Sequence, residues 1–187
     1  MNDSLIPARY AKAFFKLVEE KKIEKEVYQA MRNLIAAFEG SEGKDLRLAI
    51  ANPYVDRDRK RELILTAAGV EQGSSECKEA INDLLSLLFR NNRIDEFRNI
   101  VYAFDSIYRK ENNISRVKVT WAAKPTEETE KRLKDMIIPR LGKGGMEYSS
   151  AIDPSLIGGF KIAIDNDQLD ASVANELRQL RQQILSK

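Results

Sequence analysis

Histidine is absent from the 187 residues, and cysteine occurs once, as Cys77. The chain therefore lacks the side chain that most often serves as a general base near neutral pH and most often binds metal ions. A single cysteine cannot form a disulfide within one chain, which points to a reducing compartment. A zinc site would need carboxylates alone, so we expect no metal site.

Long apolar segments are also missing. The longest apolar cluster, residues 84–89, is much too short to span a bilayer. Residues 1–7 lack the basic region and the apolar stretch of a signal peptide. Lys and Arg total 31 against 29 Asp and Glu, so the net charge of +2 gives no electrostatic argument for nucleic acid or anionic lipid. We expect neither nucleic-acid binding nor direct membrane insertion.

Groups that could bind a nucleotide or catalyse a reaction are not apparent. The glycine cluster at residues 142–145 follows a predicted helix, whereas a phosphate-binding loop follows a strand and ends in Gly-Lys-Ser/Thr. Asp165 and Asp167 fall in a predicted hairpin turn, where solvated carboxylates are usual. No nucleophile has a base beside it. We therefore expect no cofactor, no catalytic residue and no enzymatic activity of the chain alone.

The first 111 residues show helical periodicity throughout. Apolar residues recur at spacings of three and four, and glycine, Asn-Pro and Asn-Asn sequences interrupt them. The predicted helices span residues 4–20, 25–38, 44–50, 56–66, 77–90 and 93–111. The first follows Asp3 or Ser4 as N-cap, and Ser74 or Ser75 is predicted to cap the fifth. Leu63, Ile64 and Ala67 are predicted to face inward. Six short helices with short connections predict a compact all-α six-helix bundle over residues 1–111.

The first helix carries more apolar surface than one core requires. At about 100° per residue, its apolar residues from Tyr10 to Val18 cover an arc of about 200°. A helix that covers a single core usually shows a stripe of about 100°. Two explanations remain open: the helix is buried on two sides, by its own bundle and by a partner, or it lies deep in a bundle.

After Asn113 the period changes from helical to alternating. The predicted elements are a strand at 117–121, a helix at 126–141 ended by the glycines at 142–145, and a strand at 146–152. A strand at 160–164, a turn at Asn166-Asp167, a further short strand and a final helix capped by Ser172 complete the chain. This order predicts a small α+β domain over residues 112–187.

Residues 153–160 read Asp-Pro-Ser-Leu-Ile-Gly-Gly-Phe. Asp153-Pro154 favours a turn, because proline fixes φ and has no N–H. Gly158 and Gly159 supply a positive φ or a close backbone approach beside a strand. Asp153 and Asp170 are predicted to cap backbone N–H groups.

This run closely resembles the C-terminal signature of the delta subunit family of F-type ATP synthases, whose mitochondrial members are called oligomycin-sensitivity-conferring proteins. Residues 8–14 also resemble the opening helix of that family, and the resemblance covers nearly the whole chain. In this family the signature is structural. The matching positions here are Asp153, Pro154, Leu156, Ile157, Gly158, Gly159, Asp170 and Ser172.

The resemblance implies a stator component that links the catalytic alpha/beta hexamer to the peripheral stalk, so that proton-driven rotation is coupled to ATP synthesis. Residues 1–111 would bind N-terminal helical segments of the alpha subunits, and residues 112–187 would bind the b subunits of the stalk. The resemblance implies one copy per complex, held peripherally at the cytoplasmic face of the bacterial inner membrane.

In this family the alpha segment lies in a groove between the first helix and a later helix near the end of the bundle. The matching positions here are Tyr10, Phe14, Leu17, Ile94, Phe97 and Val101. The pattern does not distinguish residues that face a partner from residues that face the core.

Two other classes of function remain open from the sequence. One is an unrelated helical adaptor that captures amphipathic helices, and the other is an enzyme, against which the missing catalytic groups argue. Co-purification separates the first from the stator, because ATP synthase subunits should then dominate the captured proteins.

Overall fold

Helices make up all the regular structure before Ser115 in the part of the chain that is described. A computed structural model describes residues 5–70, 74–141, 145–165 and 167–185. The helices are α1 Leu5–Glu20, α2 Glu24–Glu39, α3 Gly43–Ala51, α4 Arg57–Ala68, α5 Ser75–Arg90 and α6 Phe97–Glu111, with a 3-10 turn at Ile94–Glu96 before α6. The chain divides into two compact units, residues 1–108 and 109–187. The predicted all-helical character of the first part is confirmed.

The core of the first unit forms around α6. The apolar stripe of α6 buries Phe97, Ile100, Val101 and Phe104 almost completely, as the three- and four-residue spacing requires. The ring of Phe104 contacts two aromatic residues of α1, with centroid distances of 5.5 Å to Phe14 and 5.9 Å to Phe15. These tilted pairs attach α1 to the core through the side that carries Phe14 and Phe15.

Side-chain caps explain where two of these helices begin. Asp56 accepts a hydrogen bond from the backbone N–H of Asp58 before α4, and Ser74 accepts one from the N–H of Cys77 before α5. The sequence predicted Ser74 as one of two candidate caps. The candidate caps Asp3 and Ser4 of α1 lie outside the described residues.

Two predictions for the helical part are wrong in detail. The last helix was expected from Arg93, but residues 94–96 form a 3-10 turn and the α-helix begins at Phe97. Leu63 and Ala67 were expected to face inward with Ile64, yet only Ile64 is buried and the other two are half-buried. Leu65 and Ala68 take the inward positions instead, because α4 is rotated slightly about its axis relative to the expectation.

The second unit is a mixed sheet with a crossover helix. Its elements are β1 Ser115–Trp121, α7 Glu127–Ile137, β2 Met146–Ile152, β3 Gly159–Ile164, β4 Asp167–Ser172 and α8 Val173–Leu185. The strand order is β2-β1-β3-β4, with β2 parallel to β1 and the other neighbours antiparallel. The helical part followed by an α+β domain matches the predicted fold class.

One face of this sheet packs against α7. Val117, Val119 and Trp121 of β1 lie in a buried cluster with Ile162 of β3 and with Leu133 and Ile137 of α7. The alternating residues of β1 point to this core because successive side chains of a strand point to opposite faces. Trp121 is the single tryptophan of the chain, so its fluorescence reports on this unit alone.

The predicted end of α7 at Leu141 is wrong. The α-helix ends at Ile137, and residues 138–140 form a 3-10 turn that contains Pro139. Proline has no N–H to donate to the preceding turn, and its ring clashes with the carbonyl four residues earlier. Of the glycines predicted to end this helix, Gly142 and Gly144 lie outside the described residues, as does Asn166 of the predicted hairpin turn.

The segment from Asp153 to Val173 folds back on itself through polar contacts. A carboxylate oxygen of Asp153 accepts a hydrogen bond from the N–H of Ser155 at 3.0 Å, which starts a 3-10 turn and buries Leu156. The N–H of Val173 donates to the carbonyl of Gly158 at 3.1 Å. This bond closes the segment where α8 begins.

Asp170 and Ser172 join β4 to α8. The carboxylate of Asp170 accepts hydrogen bonds from the N–H of Ser172 at 3.1 Å and from its hydroxyl at 2.6 Å. The Ser172 hydroxyl oxygen in turn accepts from the N–H of Asn175 at 3.2 Å, which caps the first turn of α8. Both side chains are therefore engaged in shaping a turn.

We expect Gly159→Ala to destabilise the second unit more than Gly158→Ala. Gly159 has φ +73°, and an added Cβ would lie 2.2 Å from the carbonyl oxygen of Ala171. A Cβ at Gly158 would meet only the side chain of Val173, with Cγ2 at 2.8 Å and Cβ at 3.6 Å, and this exposed side chain can rotate. The expected loss of unfolding free energy for Gly159→Ala exceeds about 1 kcal/mol. Denaturant titration followed by Trp121 fluorescence measures it, and equal stability of both variants would contradict this account.

We expect Asp170→Asn to weaken the acid sensitivity of the second unit. Hydrogen bonds from the Ser172 side chain hold the pKa of Asp170 below its usual range. A carboxylate whose pKa is lower in the folded than in the unfolded state stabilises the fold. This contribution is complete above the unfolded pKa of about 3.9, and it is lost as the pH falls through the pKa of the folded state. The asparagine of the variant keeps an acceptor oxygen but cannot titrate.

The measurement is the melting temperature of this unit from pH 6 to pH 2, followed by Trp121 fluorescence. Asp167→Asn, at an exposed position of β4, is the matched control and should leave the profile unchanged. Identical profiles for wild type and Asp170→Asn would show that the Asp170 carboxylate does not contribute to the acid sensitivity of this unit.

Candidate partner-binding surfaces

The wide apolar arc of α1 resolves into two stripes. Pro7, Ala11, Phe14, Phe15 and Val18 are buried in the core of the first unit. Ile6, Tyr10, Ala13 and Leu17 recur at spacings of four, three and four, and they are half-buried or exposed. This arrangement favours burial on two sides over a helix that lies deep in a bundle, because the second stripe has no cover in the described part of the chain.

The six residues predicted to contact a partner divide in the same way. Phe14, Phe97 and Val101 are buried in the core, Tyr10 and Ile94 are half-buried, and 36% of Leu17 is exposed. The structure thus brings Tyr10 and Leu17 to one surface stripe and assigns the three buried residues to the packing beneath it. The role of all six in partner binding stays a prediction.

A groove of about 670 Å³ lies between α1 and the end of α5. We call it the α1–α5 groove, and its lining residues are Ile6, Arg9, Tyr10, Lys12, Ala13, Lys16, Leu87 and Arg93. The hydroxyl of Tyr10 accepts a hydrogen bond from the Nδ2 of Asn91 at 3.0 Å, which holds the ring as one wall. Sequence reasoning missed Ala13 and Leu87, although Ala13 lies on the apolar stripe of α1.

All the charged residues that line the α1–α5 groove are basic. Arg9, Lys12 and Lys16 project from α1, and Arg93 follows α5. The structure shows no ion pair between these four residues and the carboxylates of the described residues. An apolar floor with a basic rim fits one face of an amphipathic helix that carries acidic residues beside its apolar stripe.

In the second unit, α8 leaves most of its apolar face exposed. Val173, Leu177, Leu180 and Ile184 are spaced by four, three and four residues, and their exposed fractions are 37%, 52%, 54% and 75%. None of the residues of α8 is buried, whereas α5 buries seven. A helix whose regular apolar stripe stays mostly exposed within its own unit marks a surface for a partner. We call this surface the α8 stripe.

The single thiol does not provide a reactive group. Cys77 is buried at the start of α5, and burial, followed by the nearby charge of Glu26, raises its pKa to about 11. A thiol with such a pKa carries almost no thiolate at neutral pH, and the thiolate is the nucleophile. Within the described ranges, no group of three His, Cys, Asp or Glu side chains is arranged to hold a metal ion.

None of the helices in the described residues combines the length and the apolar character needed to cross a bilayer.

Comparisons with known proteins agree along nearly the whole chain. The family described as "ATP synthase delta (OSCP) subunit" matches residues 6–184. The ATP synthase subunit delta of Parabacteroides distasonis is 34% identical over 185 residues, which are 99% of this chain and 98% of that protein. The ATP synthase subunit delta of Prochlorococcus marinus is 30% identical over 171 residues, 91% of each chain.

The fold has a solved counterpart. A chain in the cryo-EM structure of the Toxoplasma gondii mitochondrial ATP synthase hexamer superposes with a TM-score of 0.69 and 24% identity, over 96% of this chain and 97% of that one. At this identity the likeness shows a shared fold.

Proposed function

The chain belongs to the ATP synthase delta (OSCP) subunit family, and from this premise we propose that it is a stator component without catalytic activity. It links the catalytic alpha/beta hexamer to the b subunits of the peripheral stalk, so that proton-driven rotation is coupled to ATP synthesis. One copy serves each complex, at the cytoplasmic face of the bacterial inner membrane. The observation that carries this proposal is the presence of two apolar surfaces, one in each compact unit, that are regular enough to hold a helix.

The first surface belongs to residues 1–111, which we propose act as a six-helix bundle. Its α1–α5 groove takes the N-terminal helical segment of an alpha subunit. Tyr10 forms a wall, and Ala13 leaves room for the partner backbone to approach closely. Phe14, Phe97 and Val101 act from below, because their packing in the core holds α1 in place.

The second surface is the α8 stripe of residues 112–187, which we propose binds the stalk. Four apolar side chains repeat along one face over about three helical turns, the length that a helix-to-helix seam needs. A partner helix that covers them removes apolar area from water at about 25 cal/mol per Å². This gain is available only on binding, because the unit does not cover the stripe itself.

Firm attachment is the physical requirement on both surfaces. One charge that crosses 100 mV delivers about 2.3 kcal/mol, and each catalytic step collects several such charges. A linkage that resists this work should bind with about nanomolar strength, near −12 kcal/mol. Apolar anchors on successive helical turns, as in both surfaces, can supply such affinity.

We expect Ala13→Trp to block the α1–α5 groove. Ala13 is exposed on the groove floor, so the indole occupies the space of the partner helix without disturbing the core. The affinity for a peptide from the N-terminus of the alpha subunit should fall at least about ten-fold, or 1.4 kcal/mol. Titration calorimetry with the full chain measures it. Ala36→Trp, at an exposed position of α2 outside the groove, is the control, and unchanged affinity of the Ala13 variant would exclude this groove.

We expect the double variant Leu177→Glu with Leu180→Glu to uncouple proton-driven rotation from ATP synthesis in the ATP synthase. Both side chains are exposed, so the unit should fold, but two carboxylates on the α8 stripe oppose burial against a stalk helix. Added back to depleted vesicles, this variant should not restore proton-driven ATP synthesis, while ATP hydrolysis by the detached head stays normal.

Gln179→Glu with Gln182→Glu adds the same charge on the opposite side of α8 and should restore synthesis. If the Leu177 and Leu180 variant also restores synthesis, the stalk does not bind the α8 stripe. If it lowers hydrolysis by the head, the chain has a catalytic role that the proposal denies.

A further inference from the structure

The first unit has a second groove, formed where α2 ends and α3 and α4 pack beside it. Its volume is about 830 Å³, and it shares no lining residue with the α1–α5 groove. We call it the α2–α4 groove. Its apolar lining residues are Ala37, Leu46, Ala49, Leu63 and Ala67, and its charged lining residues are Glu42, Asp45, Arg59 and Glu62.

The floor of this groove is shaped for a helix. Leu46 and Ala49 are spaced by three residues on α3, and Leu63 and Ala67 by four residues on α4, so each helix offers an apolar stripe along the groove. All four side chains are half-buried. The alanines let a partner backbone approach closely. Leu63 and Ala67, which the apolar pattern predicted to face inward, therefore line this groove and are not buried in the core of the unit.

The charged residues of the rim are mostly acidic. Arg59 forms an ion pair with Glu62, with 2.7 Å between the guanidinium and the carboxylate. The other two charged lining residues are Glu42 and Asp45, and neither forms an ion pair with a cation of the described residues. The groove thus carries two uncompensated negative charges.

Apart from Arg59, the basic residues of α3 and α4 do not line the groove. At about 100° per residue, Lys44 and Arg47 lie about 150° around α3 from the groove-facing direction, which Asp45, Leu46 and Ala49 define. Arg57 and Arg61 are likewise turned away on α4, whereas Arg59 lines the groove beside its ion-pair partner Glu62.

We propose that the α2–α4 groove binds a basic amphipathic helix of a partner, distinct from the segment held in the α1–α5 groove. The argument is charge complementarity: one groove is rimmed by four cations, and the other by three carboxylates and one arginine, Arg59, which is already paired with Glu62. A charge pattern that suits one rim is repelled by the other, and like-charge contacts reduce affinity for the wrong partner. The apolar floor supplies affinity, while Glu42 and Asp45 select for lysine or arginine beside the apolar stripe.

The test is photo-cross-linking in the assembled ATP synthase. A benzophenone amino acid replaces Ala49 in the α2–α4 groove in one sample and Ala13 in the α1–α5 groove in another. Mass spectrometry then identifies the captured segments. At Ala49 we expect one amphipathic segment of positive net charge, different from the segment at Ala13. No capture at Ala49, an acidic segment, or the same segment at both positions would overturn the proposal.

Charge variants give the second measurement. Glu42→Lys with Asp45→Lys should lower the cross-linking yield at Ala49 by about five-fold or more, because two attractive pairs become repulsive. The yield at Ala13 should not change. Glu20→Lys with Glu79→Lys, at exposed positions outside both grooves, is the matched control and should leave both yields unchanged.

A neutral variant separates recognition from folding. Glu42 and Asp45 lie at the start of α3, where lysine is unfavourable to the helix dipole. Glu42→Gln with Asp45→Asn avoids this repulsion and should still lower the yield at Ala49. Full yield with the neutral pair would overturn the role of the carboxylates. Failure to capture an alpha segment at Ala13 contradicts the proposed function instead, so the two proposals fail separately.

Discussion

Each of the two compact units is too small to bury every apolar face that its amphipathic elements carry. About 110 residues fold as helices and about 80 as a small sheet with two helices, and small units bury a smaller fraction of their surface than large ones do. Once the Phe14, Phe97 and Phe104 core and the Trp121 core are formed, apolar stripes remain on α1, α4 and α8. These remaining stripes are the surfaces through which the chain can act.

A connector needs such surfaces more than it needs reactive groups. The chain has no histidine and its one thiol is buried, and the stator role that we propose requires binding energy only. The balanced total charge conceals a local difference: four cations line the α1–α5 groove, whereas carboxylates outnumber cations three to one in the lining of the α2–α4 groove. Sorted charges of this kind direct each partner to its own groove and set its orientation.

The signature from Asp153 to Ser172 supports this function indirectly. Asp153 and Asp170 cap turns, Gly159 adopts a positive φ where the backbone of Ala171 approaches closely, and Ser172 starts α8. These contacts fix where α8 leaves the sheet, and so they determine the direction of its apolar stripe. Residues that never touch a partner can therefore be indispensable for presenting the helix that does.

The sequence by itself determined the elements, because spacing and capping are local properties. The helical period, the Ser74 cap and the alternation from Val117 to Trp121 can be recognised in the sequence. Tertiary structure decided which apolar residues are covered. Phe14 and Tyr10 belong to the same predicted arc, yet one contacts Phe104 and the other lines a groove. A period of 3.6 identifies an apolar face but not the neighbour that covers it. For the same reason, only the packed structure shows that Leu63, Ala67 and the stripe of α8 stay partly exposed within their own units.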